Sequence, residues 1–169
     1  MVPLRVNLGC GKKRVGAYVE TDIDISARPD VVLDATALPF ADGSIDEILC
    51  VHMFEHLWPE DIKPTLAEWR RALKPGGTLT LELPCLDKVL RNYLISDKVS
   101  PQLTSWGLFG DPATLTGHNV WALHKYCWGS HELESTLREA KFTVVFERPQ
   151  FHVESRDMRL VACKLIESS

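Results

Sequence analysis

The chain has 169 residues, of which 45% are hydrophobic and 25% are charged, and its formal net charge at pH 7 is −4. These values predict one domain of ordinary globular composition that is large enough to bury its own core. The acidic balance excludes a broad basic surface of the kind that binds duplex nucleic acid or an anionic membrane.

The first predicted elements are two strands separated by a glycine turn. Residues 4–8 have apolar residues at their ends and centre and predict a buried strand, and Gly9 and Gly11 close it. Residues 17–21 predict a second strand that ends at Asp22, whose carboxylate can accept hydrogen bonds from a ribose diol. This layout is typical of a nucleoside-binding α/β domain, in which ligands gather at the carboxyl ends of parallel strands.

The spacing of the glycines narrows the class of nucleoside. A dinucleotide-binding domain needs a third glycine at a fixed spacing and a helix whose N-terminus receives the pyrophosphate. Here the next glycine is Gly16, and residues 12–16 are too few for a full helix. The sequence also lacks the Gly-x-x-x-x-Gly-Lys-Ser/Thr phosphate loop. These features favour S-adenosylmethionine, a nucleoside cofactor without phosphate, and leave a nicotinamide-dependent oxidoreductase as a remote alternative.

The central part of the chain continues the alternation of strands and helices. Residues 30–33 predict a third strand, and residues 45–51 predict the central fourth strand. A helix is expected to begin with Pro64 as its first helical residue and to stop at the Pro-Gly-Gly turn of residues 75–77. Trp69 falls on the face of this helix that is predicted to join the core.

The second half of the chain is less regular. Residues 78–83 predict a fifth strand and residues 86–94 a helix, but the rest of the segment 85–129 is rich in turn formers and aromatic rings. We interpret residues 85–129 as a lid that binds the acceptor, because long ordered loops after strand ends are usually functional. The last predicted elements are a helix capped by Ser130 and strands at residues 142–147 and 158–164.

Five motifs occur in a fixed order over roughly the first half of the chain. They are Asn7-Leu8-Gly9-Cys10-Gly11, Asp34-Ala35-Thr36-Ala37-Leu38-Pro39-Phe40, Asp42-Gly43-Ser44-Ile45-Asp46-Glu47-Ile48, His52-Met53-Phe54-Glu55-His56-Leu57 and Arg71-Ala72-Leu73-Lys74-Pro75-Gly76-Gly77. Together they resemble the type 11 family of class I S-adenosylmethionine-dependent methyltransferases. The resemblance implies a Rossmann-like, doubly wound α/β fold whose mostly parallel seven-stranded sheet ends in an antiparallel strand. Lys141 departs from the family, which usually has glycine at that helix end.

The resemblance also implies which residues bind the cofactor. These are Asn7, Leu8, Gly9, Cys10, Gly11, Asp22, Ile23, Asp34, Ala35, Thr36, Val51 and His52. Asp22 is expected to hold the ribose, and Asp34 with Thr36 is expected to meet the adenine edge. For Asp34 an alternative stays open, since a turn acid can simply cap the segment that follows it.

The candidate catalytic residues are histidines, because a general base helps when the acceptor is a hydroxyl or a protonated nitrogen. His52 is the first candidate, since it is expected to stand at the carboxyl end of the central strand beside the methyl group. His124, and then His118, are the next candidates and belong to the predicted lid. For each of these histidines a purely structural role remains the alternative.

The string His52-x-x-Glu55-His56 also matches the inverted zinc-protease pattern His-x-x-Glu-His. Zinc would require the two histidines to share one face of a helix and a further element to supply a third ligand. The string instead begins at the end of an apolar strand, and the sequence offers no evident third ligand. We therefore predict no metal.

The links between the first three strands are much shorter than the dozen or so residues of a helical crossover. The helices of the first half are therefore expected to be shortened, which leaves one face of that half-sheet thinly covered. An uncovered apolar face must pack on something. We expect either the lid of residues 85–129 or a second subunit, as in a homodimer, to cover it.

The expected activity is methyl transfer to a small-molecule or sugar/glycan acceptor. A non-catalytic S-adenosylmethionine-binding partner subunit and a nucleobase or nucleic-acid methyltransferase are the alternatives, and the acidic balance makes a nucleic-acid acceptor the weaker one. The sequence has no apolar stretch of about 20 residues and no secretory signal, and its five cysteines form no metal or CxxC spacing. We therefore expect a reduced, cytoplasmic protein that does not enter a membrane.

Overall fold

A computed structural model describes residues 2–95, 101–112, 122–147, 150 and 152–166 of the chain. The strands are β1 (Arg5–Leu8), β2 (Val19–Asp22), β3 (Val31–Val32), β4 (Ile45–Val51), β5 (Leu73–Pro84), β6 (Phe142–Glu147) and β7 (Asp157–Lys164). The helices are α1 (Pro59–Ala72), α2 (Leu86–Ile95), α3 (Pro101–Phe109) and α4 (Ser130–Glu139). Within these described ranges no helix combines the length and the apolar character needed to cross a membrane.

The seven strands form one sheet in the order β3-β2-β1-β4-β5-β7-β6. The neighbouring strands from β3 through β5 run parallel, whereas β7 is antiparallel to both β5 and β6. The predicted Rossmann-like α/β sheet with its antiparallel last strand is confirmed. The links before β2, β3 and β4 contain no α-helix, as their lengths predict, and only a short 3-10 turn forms at Ile25–Ala27.

The hydrophobic core lies between the sheet and the helices α1 and α4. Its cluster includes alternate residues of β1 and β5 together with Leu66, Trp69 and Leu133. Trp69 is fully buried, as predicted, and its indole Nε1 donates a hydrogen bond to the Ala35 carbonyl at 2.7 Å. This bond satisfies the polar atom of a core tryptophan and ties α1 to the loop that follows β3.

Helix α1 begins earlier than the sequence predicts. Pro59 is its first residue, and Pro64, the expected start, lies inside the helix. Proline suits the first helical position because its missing N–H has no partner there. Pro64 removes one further hydrogen bond, and the helix continues because Ile62, Leu66 and Trp69 bury its apolar face.

Strand β5 is longer than predicted, and the segment 75–77 belongs to it. Leu73 pairs with Ile45, and the register shifts before Glu47 pairs with Thr78. Proline and glycine are tolerated in a strand at such an irregularity. The Pro-Gly-Gly segment therefore follows the end of α1 within the sheet rather than forming a separate turn.

Helix α3 was not predicted, since its sequence lacks a clear apolar period. It packs against α2, where Gly107 allows the close approach. A Cβ atom at Gly107 would lie 2.8 Å from Cγ2 of Val89. The described part of the predicted lid therefore contains α2 and α3 packed together, of which only α2 was expected.

The sheet face opposite the core is more polar than we expected. Its buried side chains include Asn7, Glu20, Thr80 and Glu82. The Asn7 amide donates to a Glu20 carboxylate oxygen at 2.6 Å, and the other Glu20 oxygen accepts from the Val15 backbone N–H. Hydrogen bonds thus satisfy both oxygens of Glu20 and the Asn7 amide N–H on this face, while Asn7 Oδ1 has no partner among the described residues.

The described part of the lid lies at the carboxyl ends of β4 and β5 and not over β1–β3, contrary to one expectation. The backbone N–H groups of Lys125 and Tyr126 donate to the Glu55 carbonyl at 2.8 and 3.3 Å, and Cys85 forms an isolated bridge with Trp128. At the opposite edge of the sheet, Val32 remains 52% exposed on β3.

Candidate cofactor and acceptor site

A crevice of about 750 Å³ opens at the carboxyl ends of the parallel strands. This volume is in the range of small-molecule sites. Eight of the predicted cofactor residues line it, namely Gly9, Gly11, Asp22, Ile23, Asp34, Ala35, Thr36 and His52. The other four, Asn7, Leu8, Cys10 and Val51, are not among the lining residues. Asn7, Leu8 and Cys10 are buried and support the turn from behind.

The glycine turn at the base of the crevice depends on backbone that favours glycine. Gly9 and Gly11 have φ angles of 69° and 54°. A Cβ atom at Gly9 would lie only 2.4 Å from Cγ of Met53, so this side chain fills the space that glycine leaves. The turn is therefore a preformed concave surface on which the backbone of the chain itself can meet a ligand.

Asp22 joins the end of β2 to this turn. One of its carboxylate oxygens accepts the Gly11 N–H at 2.8 Å, and the other accepts the Asp24 N–H at 2.9 Å. An ionised carboxylate has about four acceptor positions, so these two bonds leave capacity for a ligand's hydroxyl groups. The predicted pairing of the glycine turn with the acid is thus a direct contact.

Asp34 and Thr36 also line the crevice, but their side chains bond to each other. One oxygen of Asp34 accepts both the backbone N–H and the hydroxyl of Thr36, each at 2.8 Å. This is the turn-capping arrangement that the sequence left open for Asp34. The contact of these residues with adenine remains a prediction.

His52 stands at the end of β4, where the sequence placed it, but between two carboxylates. Its Nδ1 lies 3.2 Å from Glu55 and its Nε2 lies 3.2 Å from Asp157. Burial of the ring acts to lower its pKa, but the hydrogen bonds to Asp157 and Glu55 outweigh it and raise the pKa to about 9. This raised pKa favours the protonated ring near neutral pH, and the role of His52 as a general base stays a prediction.

His124 is brought to the other side of Glu55. Its Nδ1 lies 3.2 Å from the Gly107 carbonyl oxygen, which can only accept, and its Nε2 lies 3.9 Å from a Glu55 oxygen. Burial lowers the pKa of His124, so the ring is neutral and its Nε2 keeps an electron pair. The two predicted catalytic histidines thus meet through one carboxylate, while His118 lies outside the described residues.

Sequence reasoning missed the acidic and basic groups that surround these histidines. Asp157 is fully buried; burial acts to raise its pKa, but hydrogen bonds from His52 and Arg156 outweigh this and hold the pKa well below its usual range. Glu55, which we expected to orient its neighbours, has its pKa lowered by His52, against the opposing effect of burial. No short-range motif signals Arg156 or Asp157, because about a hundred residues separate them from His52 in the chain.

Two groups of side chains among the described residues are close enough to hold a metal ion. One contains His52, Glu82 and His152, and the other contains Glu55, His56 and His124. In the first group both ring nitrogens of His52 already face carboxylates. That group is also close to the guanidinium of Arg156, whose Nη2 lies 3.4 Å from His52 Nε2.

Comparison with known proteins finds similarity to methyltransferases. Residues 6–81 match the type 11 family, described as a methyltransferase domain. Over 49 residues the chain is 49% identical to malonyl-[acyl-carrier protein] O-methyltransferase 1 of Coxiella burnetii, a match that covers 29% of this chain and 17% of that enzyme. The chain therefore matches only a small part of that curated relative.

Two solved structures show the same fold over nearly the whole chain. A methyltransferase of Haloferax volcanii, in complex with a methyltransferase activator, has a TM-score of 0.66 at 17% identity, covering 99% of this chain and 84% of that one. An S-adenosylmethionine-dependent methyltransferase of Methanosarcina mazei also has a TM-score of 0.66, at 18% identity, covering 99% and 95%.

Proposed function

We propose that the chain is a class I S-adenosylmethionine-dependent methyltransferase that transfers a methyl group from this cofactor to a small-molecule or glycan acceptor. The observation that carries the proposal is the glycine turn held by Asp22 at the base of the crevice. The hydrogen bond from the Gly11 N–H to Asp22 fixes the acid beside the space into which the turn opens. The crevice volume and its polar rim suit a nucleoside.

The residues of the turn and of the two following strand ends would hold the cofactor. Gly9 and Gly11 give its backbone-lined seat, Asp22 would accept the ribose hydroxyls, and the loop at Asp34 and Thr36 would border the adenine. S-adenosylmethionine supplies a methyl group on a positively charged sulfur whose leaving group needs no further activation. The task left to the chain is to align the acceptor and to exclude water.

The acceptor side of the crevice is formed by the lid and by the segment after β4. Trp58, Trp106 and His124 line this side. Aromatic faces suit sugars and flat small molecules. His124 presents a neutral imidazole here, whereas His52 with Glu55 and Asp157 forms a charged group that orients the end of β4. We therefore assign His124 to the acceptor and give His52 a positioning role.

Two calorimetric titrations test the cofactor assignment. The wild type is expected to bind S-adenosylhomocysteine and not NAD. An Asp22→Asn variant should bind at least about tenfold more weakly, because a ribose loses an ionised acceptor. Asp42→Asn is the matched control, since Asp42 is 81% exposed and pairs with Arg71 outside the crevice. Equal binding by both variants, or tight binding of NAD, contradicts the assignment.

A screen of candidate acceptors with labelled methyl donor then tests the transfer itself. Label is expected in a sugar or small molecule and not in nucleic acid, in keeping with the net charge of −4. The five cysteines are free among the described residues, which supports a reduced, cytoplasmic setting. Transfer to nucleic acid alone would contradict this acceptor class.

The second candidate is a subunit that binds the cofactor without transferring its methyl group. The apolar edge at β3 favours it, because Ile25, Val31 and Val32 are exposed there. Analytical ultracentrifugation of the wild type and of Val32→Asp tests this edge as the contact of the predicted homodimer. A monomer that methylates an acceptor unaided argues for the first candidate. A dimer lost in Val32→Asp, with no transfer by either form, argues for the second.

A further inference from the structure

We propose that Glu55, His56 and His124 bind one divalent first-row transition-metal ion at the acceptor side of the crevice. One carboxylate oxygen and one ring nitrogen from each histidine all lie within 4.8 Å of one another. Small side-chain movements bring such a set to the 2.0–2.2 Å bonds that zinc forms with imidazole and carboxylate ligands.

The carboxylate of this set lacks a partner for one of its oxygens. Glu55 is 1% exposed, and its Oε2 has no hydrogen-bond partner among the described residues. A buried carboxylate oxygen without a partner is costly, so such an atom needs an explanation. Oε1, the other oxygen, lies 3.9 Å from His124 Nε2, so a cation held by both oxygens of the carboxylate supplies the missing interaction.

Backbone carbonyls orient both histidines in the way that metal ligands require. His56 Nδ1 donates to the Leu123 carbonyl at 2.9 Å, and His124 Nδ1 donates to the Gly107 carbonyl at 3.2 Å. Since a carbonyl only accepts, each Nδ1 carries a proton, and in the neutral tautomer with that proton the electron pair for a metal ion is on Nε2. Metal-binding histidines commonly have this second hydrogen bond, which fixes their tautomer and orientation.

The lid holds the two parts of this cluster together. The Lys125 N–H donates to the Glu55 carbonyl at 2.8 Å, and the Lys125 ammonium donates to the His56 carbonyl at 2.9 Å. The rings of His56 and His124 meet edge to face, with centroids 4.9 Å apart. The segment after β4 and the lid are therefore fixed to each other by several bonds at the place where the ligand atoms converge.

The ligand set favours some ions over others. Two imidazole nitrogens and one carboxylate oxygen suit ions such as Mn²⁺, Co²⁺ or Zn²⁺, whereas Mg²⁺ and Ca²⁺ prefer oxygen ligands alone. Three protein ligands leave further coordination positions open. Because His56 and His124 line the crevice, these positions face it, and an acceptor oxygen can occupy one. This last step rests on the proposed function; the binding of the ion does not.

The fold supplies what the sequence pattern lacked. The sequence predicted no metal, because the His52-x-x-Glu55-His56 string begins at the end of an apolar strand and no third ligand was evident. In the structure His52 faces Glu55 and Asp157, and residues 54–56 form a short 3-10 turn. Glu55 takes the place of His52 in the cluster, and His124 arrives from the lid as the third ligand.

The test is a calorimetric titration of the metal-free, chelator-treated protein with Co²⁺ and with Zn²⁺. One ion per chain is expected, with affinity at least about tenfold weaker in His56→Gln and in His124→Gln. His131→Gln, exposed on α4, is the matched control and should bind like the wild type. Circular dichroism confirms that each variant is folded, and the visible spectrum of bound Co²⁺ reports imidazole ligation.

His152→Gln separates the two possible clusters. Loss of binding in this variant, with His124→Gln unaffected, would overturn the proposal in favour of the His52–Glu82–His152 group. No binding of either ion by the folded wild type also overturns it. Titration with S-adenosylhomocysteine with and without the ion keeps the two proposals apart. Cofactor binding without metal binding contradicts only the metal site, and metal binding without cofactor binding contradicts only the proposed function.

Discussion

Replacing three glycines one at a time with alanine tests whether the turn beneath the crevice is as constrained as its geometry indicates. Gly16 has no positive φ and has open space where a Cβ would be added. Gly11 has a φ of 54° but also has open space. Gly9 has a φ of 69°, and its added Cβ would lie 2.4 Å from Cγ and 2.6 Å from Cβ of Met53. The series therefore adds first backbone strain and then overlap.

The expected losses in the free energy of unfolding follow that order. Gly16→Ala should lie within about 0.5 kcal/mol of the wild type, as most surface changes do. Gly11→Ala should lose about 1–2 kcal/mol, because a left-handed backbone disfavours any residue with a Cβ. Gly9→Ala should lose more than about 2 kcal/mol, because Cβ of Met53 is fixed to the backbone and the turn itself must shift.

Urea denaturation gives the free energies, and calorimetry gives the affinity for S-adenosylhomocysteine. The shifted turn in Gly9→Ala should weaken binding of S-adenosylhomocysteine by at least about tenfold, which is about 1.4 kcal/mol of binding free energy. The reasoning is refuted if Gly9→Ala unfolds and binds like Gly16→Ala. Met53→Ala in the Gly9→Ala background should recover part of the loss, because it removes the nearer of the two atoms.

Three further predictions concern single side chains. Burial and the Asp22 carboxylate raise the pKa of the Cys10 thiol from 9.0 to about 11. At pH 8 iodoacetamide should therefore modify Cys10 about a hundredfold more slowly in the folded than in the unfolded chain, and the rate should rise as the pH approaches 11. Equal rates for the folded and unfolded chain, measured by mass spectrometry, would contradict this. Trp69→Ala should lower the free energy of unfolding by about 3–5 kcal/mol. Trp58 is 53% exposed, so Trp58→Ala should lower it by less than about 1 kcal/mol. Similar losses in the two variants would contradict the assignment of Trp69 to the core. Lys141 has a φ of 64° at the end of α4, so Lys141→Gly should raise the free energy of unfolding by up to about 1 kcal/mol. If urea denaturation shows a lower free energy of unfolding for this variant, the left-handed backbone at Lys141 is not a source of strain.

The elements that the sequence predicted best are those with a local cause. The alternation in β1 and β5, the glycine turn and the acid at the end of β2 are each legible in a few neighbouring residues. The prediction for Pro64 was wrong because burial of an apolar face outweighs a local proline preference. The sequence predicts a turn at residues 75–77, but the segment lies in β5 at a register irregularity, where Pro75 and Gly76 are exposed. The sequence did not predict helix α3, because the helix lacks an apolar period of its own and packs against α2.

In the candidate site, too, features with a local cause were predicted and features that depend on long-range contacts were not. The sequence located the cofactor side of the crevice, where each residue belongs to a short motif. It did not foresee that the pKa of His52 is raised, because Asp157 reaches it from β7. Nor did it foresee that His124 and His56 converge on Glu55, since the lid brings them together over nearly seventy residues of chain. Long-range contacts of single side chains leave no periodic signal in the sequence.

A crystal structure of the protein soaked with S-adenosylhomocysteine tests the central claim most directly. We predict that the adenosyl group lies against Gly9 and Gly11, with its ribose hydroxyls bonded to the carboxylate of Asp22. Density for the ligand at another place, or a crevice left empty at saturating ligand, would contradict the assignment of this crevice to the cofactor.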